Sequence, residues 1–345
     1  MKPRPVSNPP NPWDTTAVEY LEEIPPTKLE VLEDHSREVL GRNDSPDVGF
    51  SWSVNPYRGC LHACAYCYAR PYHEYLGFGA GTDFETKLVV KPRAAELLRA
   101  SFERKSWKGE TVVFSGVTDC YQPLEASLRL TRACLEVCAE YRNPVGIITK
   151  GPLIERDLDV LQTLAQQARL TVFITLPFHD EAVAHAMEPS VATPRRRLLA
   201  IERLAAAGIS VGVAVAPLIP GLNDEDLVRV LTAAKQAGAT RAFWTLLRLP
   251  GPVQGVFEER LREKLPLRAE RVLHRIRETR GGELNDSRFR VRMRGEGFYA
   301  DTLHQLFNTT ARRLGLKTNE PMQEDGEKES PFRRPMKSGT QLSFF

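Results

Sequence analysis

Residues 145–175 read VGIITKGPLIERDLDVLQTLAQQARLTVFIT. Two short apolar runs, Val145–Thr149 and Thr171–Thr175, flank Ile154–Ala168, where apolar residues recur at helical spacing. The flanking runs do not alternate with polar residues. A strand of that kind is buried on both faces, as in a parallel sheet covered by helices. Strand, helix and strand joined by short links make one βα unit and the start of the next. The pattern continues in both directions. Strands are expected at Val112–Phe114, Ser210–Val215 and Ala242–Leu246, and helices at Leu128–Tyr141, Pro194–Ala207 and Asp224–Ala237. With Phe50–Pro56 as the first strand there are about six units, fewer than the eight of a closed barrel. This α/β alternation allows a doubly wound sheet or a barrel. In both, ligands bind at the carboxyl ends of the strands.

Residues 1–49 are rich in proline and charge and read as an extended arm with one short strand at Lys28–Leu32. The core is expected over residues 50–285, with outer helices in 255–280 and a closing strand and helix in 286–316. Residues 317–345 are polar and aperiodic and are expected to be disordered. The 345 residues are 42% hydrophobic and 26% charged, enough to bury a core. A net charge of +3 is too small to identify a partner. There is no membrane-spanning apolar run and no apolar stretch behind Met1-Lys2-Pro3-Arg4-Pro5, so a cytoplasmic location is expected.

Three of the six cysteines lie in one loop after the first strand: Asn55-Pro-Tyr-Arg-Gly-Cys60-Leu-His-Ala-Cys64-Ala-Tyr-Cys67-Tyr-Ala-Arg70. Each thiolate can take one iron of a cubane cluster. No fourth cysteine is nearby, which leaves one iron open to a small molecule. Zinc completed by His62 or His73 is the alternative, although structural zinc sites usually pair two such knuckles. Cys134 and Cys138, at i and i+4 of a helix, read as core.

The C-x3-C-x2-C spacing with an aromatic residue before the last cysteine resembles the radical S-adenosylmethionine superfamily. The resemblance implies a partial (β/α)6 barrel of TIM type and a [4Fe–4S] cluster on Cys60, Cys64 and Cys67. It implies S-adenosylmethionine chelated to the open iron and split by one electron to methionine and a 5′-deoxyadenosyl radical. It also implies an electron donor such as a flavodoxin or ferredoxin. The segments 55–60, 116–125, 149–150, 194–197 and 215–224 are similar to the group related to spore photoproduct lyase, over about residues 40 to 300.

On that resemblance Lys150, at a strand end, pairs with the S-adenosylmethionine carboxylate. Thr118, Asp119 and Thr175 bond the ammonium or ribose. The backbone from Ala216 to Ile219 pairs with the adenine, with Tyr66 against its ring. Glu188 and Arg195 are candidates for the same polar end. Each can equally be an ordinary strand-end polar residue or cap, and Thr193 before Pro194 reads as an N-cap. Cys120 is a candidate hydrogen-atom donor, since a cysteine has that role in spore photoproduct lyase. Its other reading is a small buried side chain.

Two features suggest nucleic acid. Arg288, Arg290, Arg292 and Arg294 alternate with Phe289, Val291 and Met293. As a strand, this would set four guanidinium groups on one face, suited to phosphates or to guarding a sheet edge. The C-terminal Gln341-Leu342-Ser343-Phe344-Phe345 resembles the peptide Gln-Leu-Ser/Asp-Leu-Phe that docks repair proteins on the DNA sliding clamp, with Phe344 in place of leucine. The expected function is a lyase-type radical enzyme acting on a modified or damaged nucleic-acid base. A protein or small-metabolite substrate, or an Fe–S redox or scaffold role without cleavage, are the alternatives.

Overall fold

The computed structural model describes residues 28–318 and 329–335. Its strands are β1 (Glu30–Glu33), β2 (Leu40–Arg42), β3 (Trp52–Val54), β4 (Tyr57–Arg58), β5 (Lys87–Val90), β6 (Val112–Phe114), β7 (Val145–Thr149), β8 (Leu170–Thr175), β9 (Val211–Leu218) and β10 (Arg241–Leu246). Seven form one sheet in the order β10-β9-β8-β7-β6-β3-β2. The six from β3 to β10 run parallel to their neighbours, and β2 is an antiparallel edge. Among the described residues no ladder joins β10 back to β2. The sheet is therefore open, as expected for a six-unit partial barrel.

Alternation along the strands divides the sheet into two buried faces. Val112, Phe114, Val145, Ile147, Val172, Ile174, Val211, Val213 and Val215 face the helices and form the main core. Val113, Phe173, Ala214 and Phe243, with Ile148 and Ala216 beside them, pack on the other face. Gly212, register partner of Phe173, makes room for that ring: a Cβ there would sit 2.4 Å from it. The same alternation puts Lys150, Thr175 and Ala216 on the inner face at the carboxyl end.

The helices carry their apolar stripe toward the sheet. In the helix Pro194–Ala206 the buried residues are Pro194, Arg197, Ala200, Ile201 and Leu204, spaced by three and four. Thr193 caps it as expected, its hydroxyl accepting the Arg196 N–H, with proline in the first turn. A smaller sheet, β1-β5-β4, lies behind the cysteine loop. The strand expected at Lys28–Leu32 is its edge strand β1, parallel to β5.

Two expectations change. Residues 286–316 hold no strand; Val291–Arg294 is a single helical turn entered through Arg290 at φ 69°. The four arginines are therefore not a row. Arg288 pairs with Asp286 and Glu296, Arg292 pairs with Asp47, and Phe289 is exposed rather than packed. In the turn, Asp286 and Glu296 satisfy Arg288 and the distant Asp47 satisfies Arg292. Part of the polar tail is also packed. Phe332 meets Phe102 at 5.9 Å and Tyr141 at 6.1 Å, and Arg334 donates to the carbonyls of Phe102, Arg104 and Trp107. Gln341, Leu342, Phe344 and Phe345 lie outside the described residues, as does the arm before residue 28.

Gly109 makes this seat. It has φ +81°, and a Cβ there would stand 2.2 Å from the Cβ of Phe332. Gly109→Ala is expected to dislodge residues 329–335 and cost about 1–3 kcal/mol. Hydrogen exchange checks this; unchanged protection at Phe332 and Arg333 would disprove the seat.

Candidate active site

The cysteine loop leaves β4 through Gly59, whose φ is +74° and whose side a Cβ could not share with Leu88, only 2.8 Å away. Only glycine enters the loop at this angle without strain. Cys60 then donates its N–H to the Phe84 carbonyl. Gln122 brackets Cys60: its Nε2 donates to the Gly59 carbonyl at 3.1 Å and its Oε1 accepts the Leu61 N–H at 3.0 Å. Arg70 holds the middle of the loop. It is wholly buried, and its five donations go to the Cys64 carbonyl at 3.2 and 2.8 Å, to Ala80 and Gly81, and to Glu85. This uses the full donor set of a guanidinium. The Ala65 N–H bonds the Met187 carbonyl, so the loop is also fixed to the segment after β8.

Buried charge surrounds the loop. The Tyr66 hydroxyl donates to Glu188, and Arg197 donates to Glu188 at 2.5 Å and to the Thr175 carbonyl at 2.9 Å. On the other side His62 Nδ1 is 3.4 Å from Asp119. Asp119 also accepts from the Thr149 hydroxyl, the Tyr121 N–H and the Lys150 N–H. Burial works to raise the Asp119 pKa, but His62 and these hydrogen bonds outweigh it and hold it at about 2. A carboxylate depressed below its unfolded value stabilises the fold above that value, and the contribution is lost as pH falls through the folded pKa. Wild-type stability is therefore expected to fall more than that of Asp119→Asn between about pH 4 and pH 2. Parallel urea titrations across that range check this; identical pH slopes would show that Asp119 is not the anchor.

Lys150 projects into the same space, its Nζ 5.6 Å from the centre of the Tyr66 ring. Burial alone would lower its pKa, but Cys64, Glu188 and Asp119 raise it, so it stays charged. The nearby carboxylates are bonded to other groups, and the ammonium is available to an anion inside the barrel.

Each of the three thiolates could take one iron of a cubane cluster. His62 is engaged with Asp119, and His73 is wedged against Phe78 and Phe84 at 5.2 and 5.6 Å. Burial raises the Cys60 thiol well above its usual value and Cys64 to about 12. Bound cations are what would keep such buried sulfurs ionised.

Several of the candidate residues have protein partners of their own. Thr118 is buried, and its hydroxyl is shared between the Tyr57 carbonyl and Asn55, so it ties β4 and the turn before it to the loop after β6. Asp119 and Glu188 accept the bonds described above and brace the loop. The Ile219 N–H goes to Asn223 Oδ1 and its carbonyl accepts the Leu222 and Asn223 N–H groups. Arg195 is exposed on the far side of its helix; Arg197, two residues on, faces the site. Cys120 is fully buried and belongs to the main core cluster. Cys134 and Cys138 are core residues as expected. Sequence reading missed Arg70, Gln122 and Arg197. For Arg197 a signal existed, since the Pro194, Arg197, Ile201 and Leu204 spacing marks a buried stripe.

The sequence model described as Radical SAM superfamily matches residues 54–234. An uncharacterized protein of Mycobacterium tuberculosis (strain ATCC 25618 / H37Rv) is 41% identical over 210 residues, which cover 60% of this chain and 62% of that protein. The match thus spans less than two thirds of that relative. An uncharacterized protein of Methanocaldococcus jannaschii is 27% identical over 202 residues, covering 59% of this chain and 73% of that protein. Among solved structures, spore photoproduct lyase complexed with dinucleoside spore photoproduct superposes with a TM-score of 0.60 at 14% identity, covering 84% of this chain and 81% of that one. A mutant of that lyase with bound AdoMet and the same dinucleoside gives 0.57 at 15% identity, with the same coverage. At such identity the likeness is one of fold. The family match extends over more than half of the chain and includes the cysteine loop, and the chain belongs to the Radical SAM superfamily, whose cofactors are a [4Fe–4S] cluster and S-adenosylmethionine.

Proposed function

We propose that this chain holds a [4Fe–4S] cluster on Cys60, Cys64 and Cys67, cleaves S-adenosylmethionine, and acts as a lyase-type enzyme on a modified or damaged nucleic-acid base. One observation carries the first part: a charged, inward-facing Lys150 stands beside Cys64 and Tyr66, where a chelated amino acid would present its carboxylate. When bound by Cys60, Cys64 and Cys67, the cluster would supply the electron that divides S-adenosylmethionine into methionine and a 5′-deoxyadenosyl radical. The protein's own groups orient and insulate. Arg70 and Gln122 hold the loop backbone. Arg197 and Glu188 fix Tyr66. Lys150 binds the carboxylate, and the apolar inner face formed by Val113, Phe173, Ala214 and Phe243 keeps water away. The substrate class is supported by the likeness to a lyase solved with a dinucleoside and by the exposed Arg290 and Arg294. The C-terminal Gln341–Phe345 peptide is proposed to dock on the sliding clamp, and a flavodoxin or ferredoxin to deliver the electron.

Anaerobic turnover with deuterated nucleic-acid substrates tests the reading. Deuterium is expected in 5′-deoxyadenosine. Deuterium arriving only from a protein or metabolite would reject the nucleic-acid substrate, and no 5′-deoxyadenosine from reduced, reconstituted protein would reject cleavage altogether.

A further inference from the structure

Beside the cluster loop, on the outer rim, lies a strip that the proposed chemistry does not use. It begins at Tyr68, next to Cys67, whose hydroxyl donates to the Gly116 carbonyl at the end of β6. The Arg248 guanidinium, just past the end of β10, lies 6.0 Å from the Tyr68 ring. Arg248 also contacts Met293 Sδ at 3.9 Å, in the same helical turn as Arg292. Arg292 lies 4.4 Å over the Phe289 ring. On the near side Tyr72 and Tyr75 have ring centres 6.4 Å apart. The strip therefore runs Tyr75, Tyr72, Tyr68, Arg248, Arg292, Phe289. Its rings are open to solvent: Tyr68 is 42% exposed, Tyr72 49%, Tyr75 67% and Phe289 56%. Four exposed rings interleaved with two guanidinium groups are not an ordinary solvated surface.

We propose that this strip is a stacking platform for an unpaired nucleic-acid segment, whose bases lie on Tyr72 and Phe289 while Arg290 and Arg294 meet its phosphates. This rests on the nucleic-acid reading of the function and adds the mode of recognition. Every base has a face that stacks on an aromatic ring, and arginine adds cation–π attraction and phosphate pairing. Bases inside a duplex are already stacked on one another, so the platform selects single strands or bases turned out of the helix. An acidic redox protein is the competing occupant. Such a partner would seek extended charge. Here Arg292 is tied to Asp47 and Arg288 to Asp286 and Glu296, so the face offers rings more than free charge.

The test uses the full-length protein and a fluorescein-labelled thymidine oligonucleotide of about 12 nucleotides, single-stranded or paired with its complement. Single strand is expected to bind more tightly than duplex. Tyr72→Ala and Phe289→Ala are each expected to weaken single-strand binding roughly tenfold, whereas Tyr72→Phe, which keeps the ring, binds as wild type. Unchanged affinity in both alanine variants, with thermal unfolding unaltered, overturns the platform. So does equal binding of duplex and single strand, or slower electron delivery from flavodoxin with oligonucleotide affinity intact. Cluster chemistry is read separately, as 5′-deoxyadenosine formed with dithionite, and should not change in these variants. Ring-dependent oligonucleotide binding without deuterium transfer from any nucleic-acid base would uphold the platform and remove the proposed substrate.

Discussion

Cys64→Ala is expected to fold and to lose the cluster. Reconstituted anaerobically, wild type should carry about four irons per chain, and the variant less than one. 5′-Deoxyadenosine formation should fall to background. The backbone around residue 64 does not depend on the thiol: Arg70 grips the Cys64 carbonyl with two hydrogen bonds, and the Ala65 N–H is tied to Met187. Losing one sulfur from a buried site costs about 1 kcal/mol in packing, too little to unfold a domain. The loss would therefore be of ligation and not of fold. Cys120→Ala, Cys134→Ala and Cys138→Ala serve as controls, because these thiols belong to the main core cluster. Each should keep its iron. A Cys64→Ala protein with full iron, or a wild type that retains zinc and no iron, would refute the assignment.

Arg197→Met should be the most destabilising single change near the site, by about 3–5 kcal/mol. Arg197 and Glu188 are both almost wholly buried and form an ion pair at 2.5 Å. Removing the cation leaves Glu188 charged in a dry interior and frees the Thr175 carbonyl and, through Glu188, Tyr66. Most of the penalty is the uncompensated carboxylate. Glu188→Gln combined with Arg197→Met should therefore recover a substantial part of the loss, a coupling that independent sites would not show. Arg195→Met, on the exposed side of the same helix, should stay within about 0.5 kcal/mol. Urea unfolding of the four proteins decides the matter. A loss below about 1 kcal/mol for Arg197→Met would mean that the pair is not a strut. If stability falls while S-adenosylmethionine affinity in the surviving folded protein does not, Arg197 has no part in positioning Tyr66.

The βα alternation was legible because both faces of each strand are apolar and each helix carries its own stripe; such signals are local. The three loop cysteines were legible because they are close in sequence. The strand-end set was only partly legible. Lys150 kept its expected place because alternation along β7 decides its face. Thr118, Asp119 and Glu188 have partners, Tyr57, His62 and Arg197, that come from other segments of the chain. No periodicity reports whether a polar side chain is still available or already bonded. The arginine row failed for a similar reason. Alternation alone suggested a strand, but Asp47, more than 240 residues away, draws Arg292 and the Arg290 backbone into a turn.

The sequence alone determined the six parallel strands, the helices between them and the three cysteines with no fourth beside them. These follow from short-range periodicity, ligand spacing and family resemblance. Tertiary structure decided which polar groups brace the site and which can meet a ligand. It seated Phe332 on Phe102 and Tyr141, and it assembled the strip of Tyr68, Tyr72, Arg248 and Phe289. Each of these depends on hydrogen bonds and ring contacts between segments far apart in the chain. Such pairings exist only once the sheet has brought the carboxyl ends of its strands together.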